Sequence, residues 1–162
     1  MLCPIHVTRH HTFKGIYVKS GNSFDPAASA EITDIRFENI TMDEPEQVPI
    51  WIGPAQEADS KGACSLLWPE LSSNCPPPPT SLLFANLTLK DIVIRSPKQS
   101  PGIVLGNPAS PMRGVVFDNV VVTPADPLAR PWGTAFYKCQ GVQGVATGGT
   151  SPAPPCFNTT DD

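Results

Sequence analysis

The sequence predicts an all-β protein, a right-handed parallel β-helix, and three observations carry that expectation. One pattern returns along the chain, as ITDIRFENITM at 32–42, FANLTLKDIVI at 84–94 and MRGVVFDNVVV at 112–122. Each copy reads apolar, any, Asp/Asn/Gly, apolar, any, apolar, any, Asn/Asp, apolar, any, apolar. A shorter apolar motif opened by Gly or Pro alternates with it: GIYVKS at 15–20, PIWIG at 49–53, GIVLGN at 102–107 and GTAFYKC at 133–139. Finally, no stretch has the length and 3.6-residue periodicity of a helix; EPEQV has helix-forming residues but is short and interrupted by proline.

The long elements come first because their alternation is clearest. In 32–42, Ile35, Phe37 and Ile40 are expected to face inward, and Arg36 and Glu38 outward. After Asn39 the alternation slips by one residue, and the same slip follows Asp91 and Asn119. A one-residue slip exchanges the two faces of a strand, so the chain must bend there. A bend at one fixed place in each copy is economical if the copies stack. Asn39, Asp91 and Asn119 would then form a ladder of side-chain hydrogen bonds along the stack. Strands of successive coils would lie parallel, ~4.8 Å apart, with apolar rows turned to a common core. The hand usual for parallel crossovers is right. An antiparallel sandwich is the competing architecture.

Between these elements lie the connections. The 20 prolines concentrate at CPPPP (75–79), SPAPP (151–155) and Pro124–Pro131, where no ladder hydrogen bond is required. Residues 1–140 are read as the coils, 54–79 as a loop projecting from them, and 141–162 as a Pro/Gly-rich C-terminal cap and tail. Of five cysteines, Cys64 with Cys75 and Cys139 with Cys156 would close short loops, leaving Cys3 over. Trp68 in the projecting loop reads as a plug anchoring it, with sugar stacking as the other role. Asn-x-Ser/Thr acceptors occur at Asn39, Asn86 and Asn158; the first two lie inside the repeat, so Asn158 is the candidate for glycosylation.

Composition narrows the function. A net charge of −4 and a pI near 5.3 leave no basic footprint for nucleic acid. No apolar run approaches the ~20 residues of a membrane span, and MLCPIHVTRHH lacks the features of a secretory signal. The paired cysteines nonetheless fit an oxidising, extracellular compartment. His6, His10 and His11 are close in sequence but have nothing else to mark them as metal ligands, and no cofactor motif is visible. Asp91 takes the ladder slot, Asp34 an earlier turn slot and Asp118 an outward position, so each is read as structural.

The combination of GIYVKS, ITDIRFENITM and PIWIG, followed by GNPASPMRGVVFDNVVV, resembles the C-terminal part of polygalacturonases, the pectin-degrading members of glycoside hydrolase family 28. The resemblance runs from Gly15 to Val122 and extends through YKCQGVQGVATG to Cys156. It implies a parallel β-helix and inverting hydrolysis of a galacturonan-like polysaccharide, with no metal requirement. The family's acids come from N-T-D and D-D motifs, followed by G-H-G and R-I-K. Only the last has a counterpart here, with Lys19 at the Lys position and Tyr17 where the family has Arg. Both are therefore candidate substrate-binding residues by resemblance, and no catalytic residue is assigned. Loss of the planar arginine fork leaves the identity of the bound sugar open. The adjacent pair Asp161–Asp162 lies in a polar tail.

Ile5 and Val7 precede GIYVKS by about the distance at which Ile40 and Met42 precede PIWIG. The chain is therefore expected to open inside a long strand, as a β-helix truncated at its N-terminal end. Two functions follow. The chain is the C-terminal part of a secreted hydrolase, monomeric when full length, whose acids lie elsewhere. Alternatively it is a non-catalytic β-helix that binds polysaccharide or a protein partner.

Overall fold

The structure, a computed structural model, describes residues 7–10, 15–20, 29–54, 77–124 and 137–160. These residues are all-β, with strands β1 (Val7–His10), β2 (Ile16–Lys19), β3 (Ala30–Asp43), β4 (Ile50–Gly53) and β5 (Leu82–Arg95). They continue as β6 (Gly102–Leu105), β7 (Met112–Thr123), β8 (Tyr137–Gln140), β9 (Val142–Thr147) and β10 (Phe157–Thr159).

The strands form two sheets, ordered β1-β3-β5-β7-β9-β10 and β2-β4-β6-β8, and every strand pairing within them is parallel. Up to β9 the chain alternates between the sheets, so each strand pairs with the strand two places on. This arrangement is compatible with a parallel β-helix. Short and long strands alternate, and equivalent residues of successive strands within each sheet lie directly opposite one another.

The long strands bend where the left-handed backbone region is occupied. One column holds Asp34, Asn86 and Gly114 at φ of 58°, 55° and 62°, and a second holds Asn39, Asp91 and Asn119 at 58°, 52° and 57°. Asn and Asp tolerate this conformation better than other side chains, and glycine does so without strain. At Gly114 a Cβ would also lie 2.9 Å from Asn86 Oδ1, so the residue that ends this column has two reasons to be glycine.

Between the corners, alternation delivers the core. Leu87, Leu89, Ile92 and Ile94 of β5 stack on Val115, Phe117, Val120 and Val122 of β7, and face Ile50, Ile52, Val104 and Tyr137 of the short sheet. Ile35, Phe37 and Ile40 pack on the same core, as their spacing predicts, although they are only half-buried. Large and small residues alternate along the columns. A Cβ at Gly102 would strike the Tyr137 ring, and one at Gly144 would come within 2.6 Å of Phe157. The Phe117 ring meets both aromatics edge-on, with centroids 5.9 Å from Tyr137 and 5.0 Å from Phe157.

Two readings shift in detail. Residues 141–162, expected as a cap, contribute β9 and β10 to the six-stranded sheet, because Gly144 and Ala146 are small enough to continue the inward row. Val7 lies opposite Ile40, and Arg9 opposite Met42, so the register of β1 falls two residues from the one expected. Cys139 and Cys156 are joined by a disulfide that ties β8 to the approach to β10. Cys3, Cys64, Cys75, Trp68, His6 and His11 lie outside the described residues.

Candidate functional site

Strand β2 is four residues long, and its alternation sorts them onto two faces. Ile16 and Val18 are buried toward the core, which places Tyr17 and Lys19 together on the opposite face of the short sheet. Parallel register extends the row from Tyr17 through Trp51 and Ile103 to Lys138. Lys19 Nζ stands 5.6 Å from the centre of the Tyr17 ring, within cation–π range. The Tyr17 ring meets Trp51 edge-on at 5.9 Å. Trp51 is fixed from its other end, since Nε1 donates to the Pro54 carbonyl at 2.8 Å.

The surface beneath this group is apolar. Val48, Trp51, Ile103 and Leu105 form a second buried cluster on the face away from the main core, with Tyr17 packed against it. Trp51 is 1% exposed. In this row Tyr17 and Lys138 are half-buried and Trp51 and Ile103 are covered, while Lys19, two residues on from Tyr17, is exposed. A cation beside an aromatic ring on a stiff sheet can hold a carboxylate and cover the apolar face of a sugar.

Trp51 was not singled out from the sequence. The signal was nevertheless there: in PIWIG it occupies the slot that Tyr17 occupies in GIYVKS, and parallel pairing sets the two slots opposite one another.

In each corner column two neighbouring residues are joined through their side chains. Asn119 Nδ2 donates to Asp91 Oδ1 at 2.6 Å, and Asn86 Nδ2 donates to Asp34 Oδ1 at 3.0 Å. Beyond Asn119 the next position in register is Gly148, at φ 60°, and close by the Thr150 hydroxyl accepts from the Val120 N–H and donates to a backbone carbonyl. The sequence reading named the second column and left Asp34 as a turn residue without its partner.

Most other carboxylates in the described residues are also engaged. Asp118 pairs with Lys90 at 2.6 Å, Asp43 with Arg95 at 3.0 Å and Glu44 with Lys98 at 2.9 Å. Glu38 takes two hydrogen bonds from Arg36, and this bonding holds its carboxyl below the usual range. The hydrogen bond to Asp118 likewise raises the Lys90 ammonium above its ordinary value. Among the described residues no group of three or more His, Cys, Asp or Glu is placed to hold a metal ion. Asn158 sits exposed in β10. Of the other acceptors, Asn39 is exposed at a corner, and Asn86 spends its amide on Asp34.

Comparison of the chain with protein-family models, with curated proteins and with solved structures yields no match.

Proposed function

We propose that this chain forms the C-terminal coils of a right-handed parallel β-helix and belongs to a secreted, polygalacturonase-like glycoside hydrolase acting on pectin-type polysaccharide. Support for the architecture comes from parallel pairing of each strand with the one two places on, and from the corner columns. Right-handedness follows the general preference of parallel crossovers. Secretion is supported by the Cys139–Cys156 disulfide. The observation that carries the functional reading is Lys19 beside Tyr17 on the outward face of the short sheet, in the slots of the family's R-I-K motif.

In this reading the Lys19 ammonium holds a uronate carboxylate, and the Tyr17 ring borders the sugar plane. Inverting hydrolysis then needs two carboxyl groups ~6.5–9.5 Å apart, one to protonate the departing glycosidic oxygen and one to take a proton from the attacking water. Neither role falls to Asp34, Asp91 or Asp118, whose oxygens are engaged in columns or ion pairs.

Binding of an oligogalacturonate, followed by titration calorimetry, tests the reading. K19A is expected to weaken it about tenfold, the loss of one charge-assisted contact. A neutral galactan oligomer should not distinguish K19A from the parent chain. Equal oligogalacturonate affinity for both would overturn the assignment. The chain alone is expected to release no reducing ends from polygalacturonan.

A second reading, a non-catalytic β-helix that binds polysaccharide or a protein partner, is favoured by the engaged carboxylates. In-frame N-T-D, D-D and G-H-G motifs in the complete transcript would decide for the hydrolase.

A further inference from the structure

Asn86 and Asn158 both head Asn-x-Thr sequences, but the fold treats them differently. Asn86 belongs to a corner column: its backbone is left-handed at φ 55°, its Nδ2 donates to Asp34 at 3.0 Å, and Gly114 lies against it on the other side. Asn158 belongs to no column. It lies in β10 between the buried Phe157 and the exposed Thr159, and is itself exposed. Thr160 continues the ladder, its N–H donating to the Ala146 carbonyl at 3.1 Å, and is exposed as well. Register sets Asn158 opposite Val145, and Val145 opposite Val116. Both valines are half-buried and point away from the core, since Gly144, Ala146, Val115 and Phe117 beside them are buried. The third acceptor, Asn39, adjoins residues outside the described set.

We propose that Asn158, and not Asn86, carries an N-linked glycan in the folded protein, with its first sugar lying over Val145 on the outer face of the six-stranded sheet. The Asn158 Nδ2 attacks the anomeric carbon of an oligosaccharide carried on a polyprenyl diphosphate. The carbon–oxygen bond to the diphosphate breaks and a carbon–nitrogen bond forms. The lipid diphosphate departs, and Nδ2 gives up one proton. Thr160 supplies the hydroxyl that the acceptor sequence requires two residues on. Neighbouring strands lie ~4.8 Å apart, so a sugar on Asn158 reaches over the side chain of the next strand. Its apolar C–H face meets Val145, with Val116 next in the row, and displaces water from side chains that are only half-covered. The same transfer at Asn86 would wedge a sugar between Asp34 and Gly114 and replace an amide hydrogen. A chain so modified would not close the column. The glycan also lies on a different sheet from Tyr17 and Lys19.

The inference rests on the secreted part of the proposed function and not on hydrolysis. Absence of an export signal from the complete transcript would overturn the secreted reading and the modification with it. The site is tested separately, by directing the full chain into the secretory lumen of a eukaryotic host with an added signal. Peptide-N-glycosidase in heavy-oxygen water converts each occupied Asn into labelled Asp, which mass spectrometry of the peptides reads. In the exported chain the label is expected at Asn158 and not at Asn86. T160A should lose the label at Asn158, and T160S should keep it. The T160A result is read on the total lumenal pool, and transfer does not require a folded chain, so misfolding cannot imitate the loss. In the glycosylated chain, nuclear Overhauser contacts are expected between protons of the first sugar and the Val145 methyls. Unlabelled Asn158, label at Asn86 in the exported chain, label surviving T160A, or a first sugar without contact to Val145 would each overturn the proposal.

Discussion

Tyr137 brings a phenol into the centre of the core, where its hydroxyl has no hydrogen-bond partner among the described residues. Burial pushes its ionisation well above the ordinary phenol range. Y137F removes an unsatisfied polar group and keeps the ring, so stability at neutral pH is expected to hold or rise by about 1 kcal/mol. The two proteins should diverge in alkali. Above pH ~10 the unfolded phenol loses its proton while the folded one keeps it, so the unfolded state binds fewer protons and stability falls with pH. Urea unfolding at pH 8 and 11 should therefore show a loss in the parent that Y137F lacks; parallel losses would mean that the phenol is not the cause. The corner residues obey a different constraint. Asn119 combines a left-handed backbone with a hydrogen bond to Asp91. N119A loses the bond and strains the backbone, at about 2 kcal/mol in all, and N119G should be milder by roughly 1 kcal/mol. Equal losses in urea unfolding would show that backbone strain contributes nothing.

Among the elements, β10 depends most on help from outside its own strand. It is three residues long and among the described residues pairs only with β9, and it is held by Phe157 in the space left by Gly144 and by the Cys139–Cys156 bond. The bridge spans a sequence separation of 17, for which chain-entropy reasoning gives about 3 kcal/mol. The double substitution C139S/C156S should lower unfolding stability by about that amount. Faster amide exchange should be concentrated in Phe157–Thr159, and a loss spread evenly over β5 and β7 would contradict this placement of the bond. The long strands need no such staple, since each of their buried Leu, Ile or Phe side chains contributes about 1.5–3 kcal/mol by leaving water. Their bounds were legible for the same reason: period-two alternation with Asn or Asp at the slips is a local signal. The short strand β8 was legible only as part of GTAFYKC, because Tyr137 and Cys139 point inward while Lys138 carries no mark of its face.

Across the whole molecule, the repeated pattern by itself determined an all-β chain whose equivalent residues stack. Apolar rows at alternate positions can be buried only against rows of the same kind, and residues suited to positive φ recur where the chain must turn. The sequence also carried Lys19 and Tyr17 as candidates, through the slots they hold in a short motif. Only the tertiary structure decided that Trp51 stands edge-on to Tyr17, that Asn86 answers Asp34, and that residues 142–147 extend the large sheet. It alone revealed that the inward face of β3 stays half open while that of β5 is sealed. The physical reason is distance along the chain. Alternation and turn chemistry act over a few residues, whereas each of these pairings joins positions roughly 30 to 50 apart, and their register depends on the length of the connections between them.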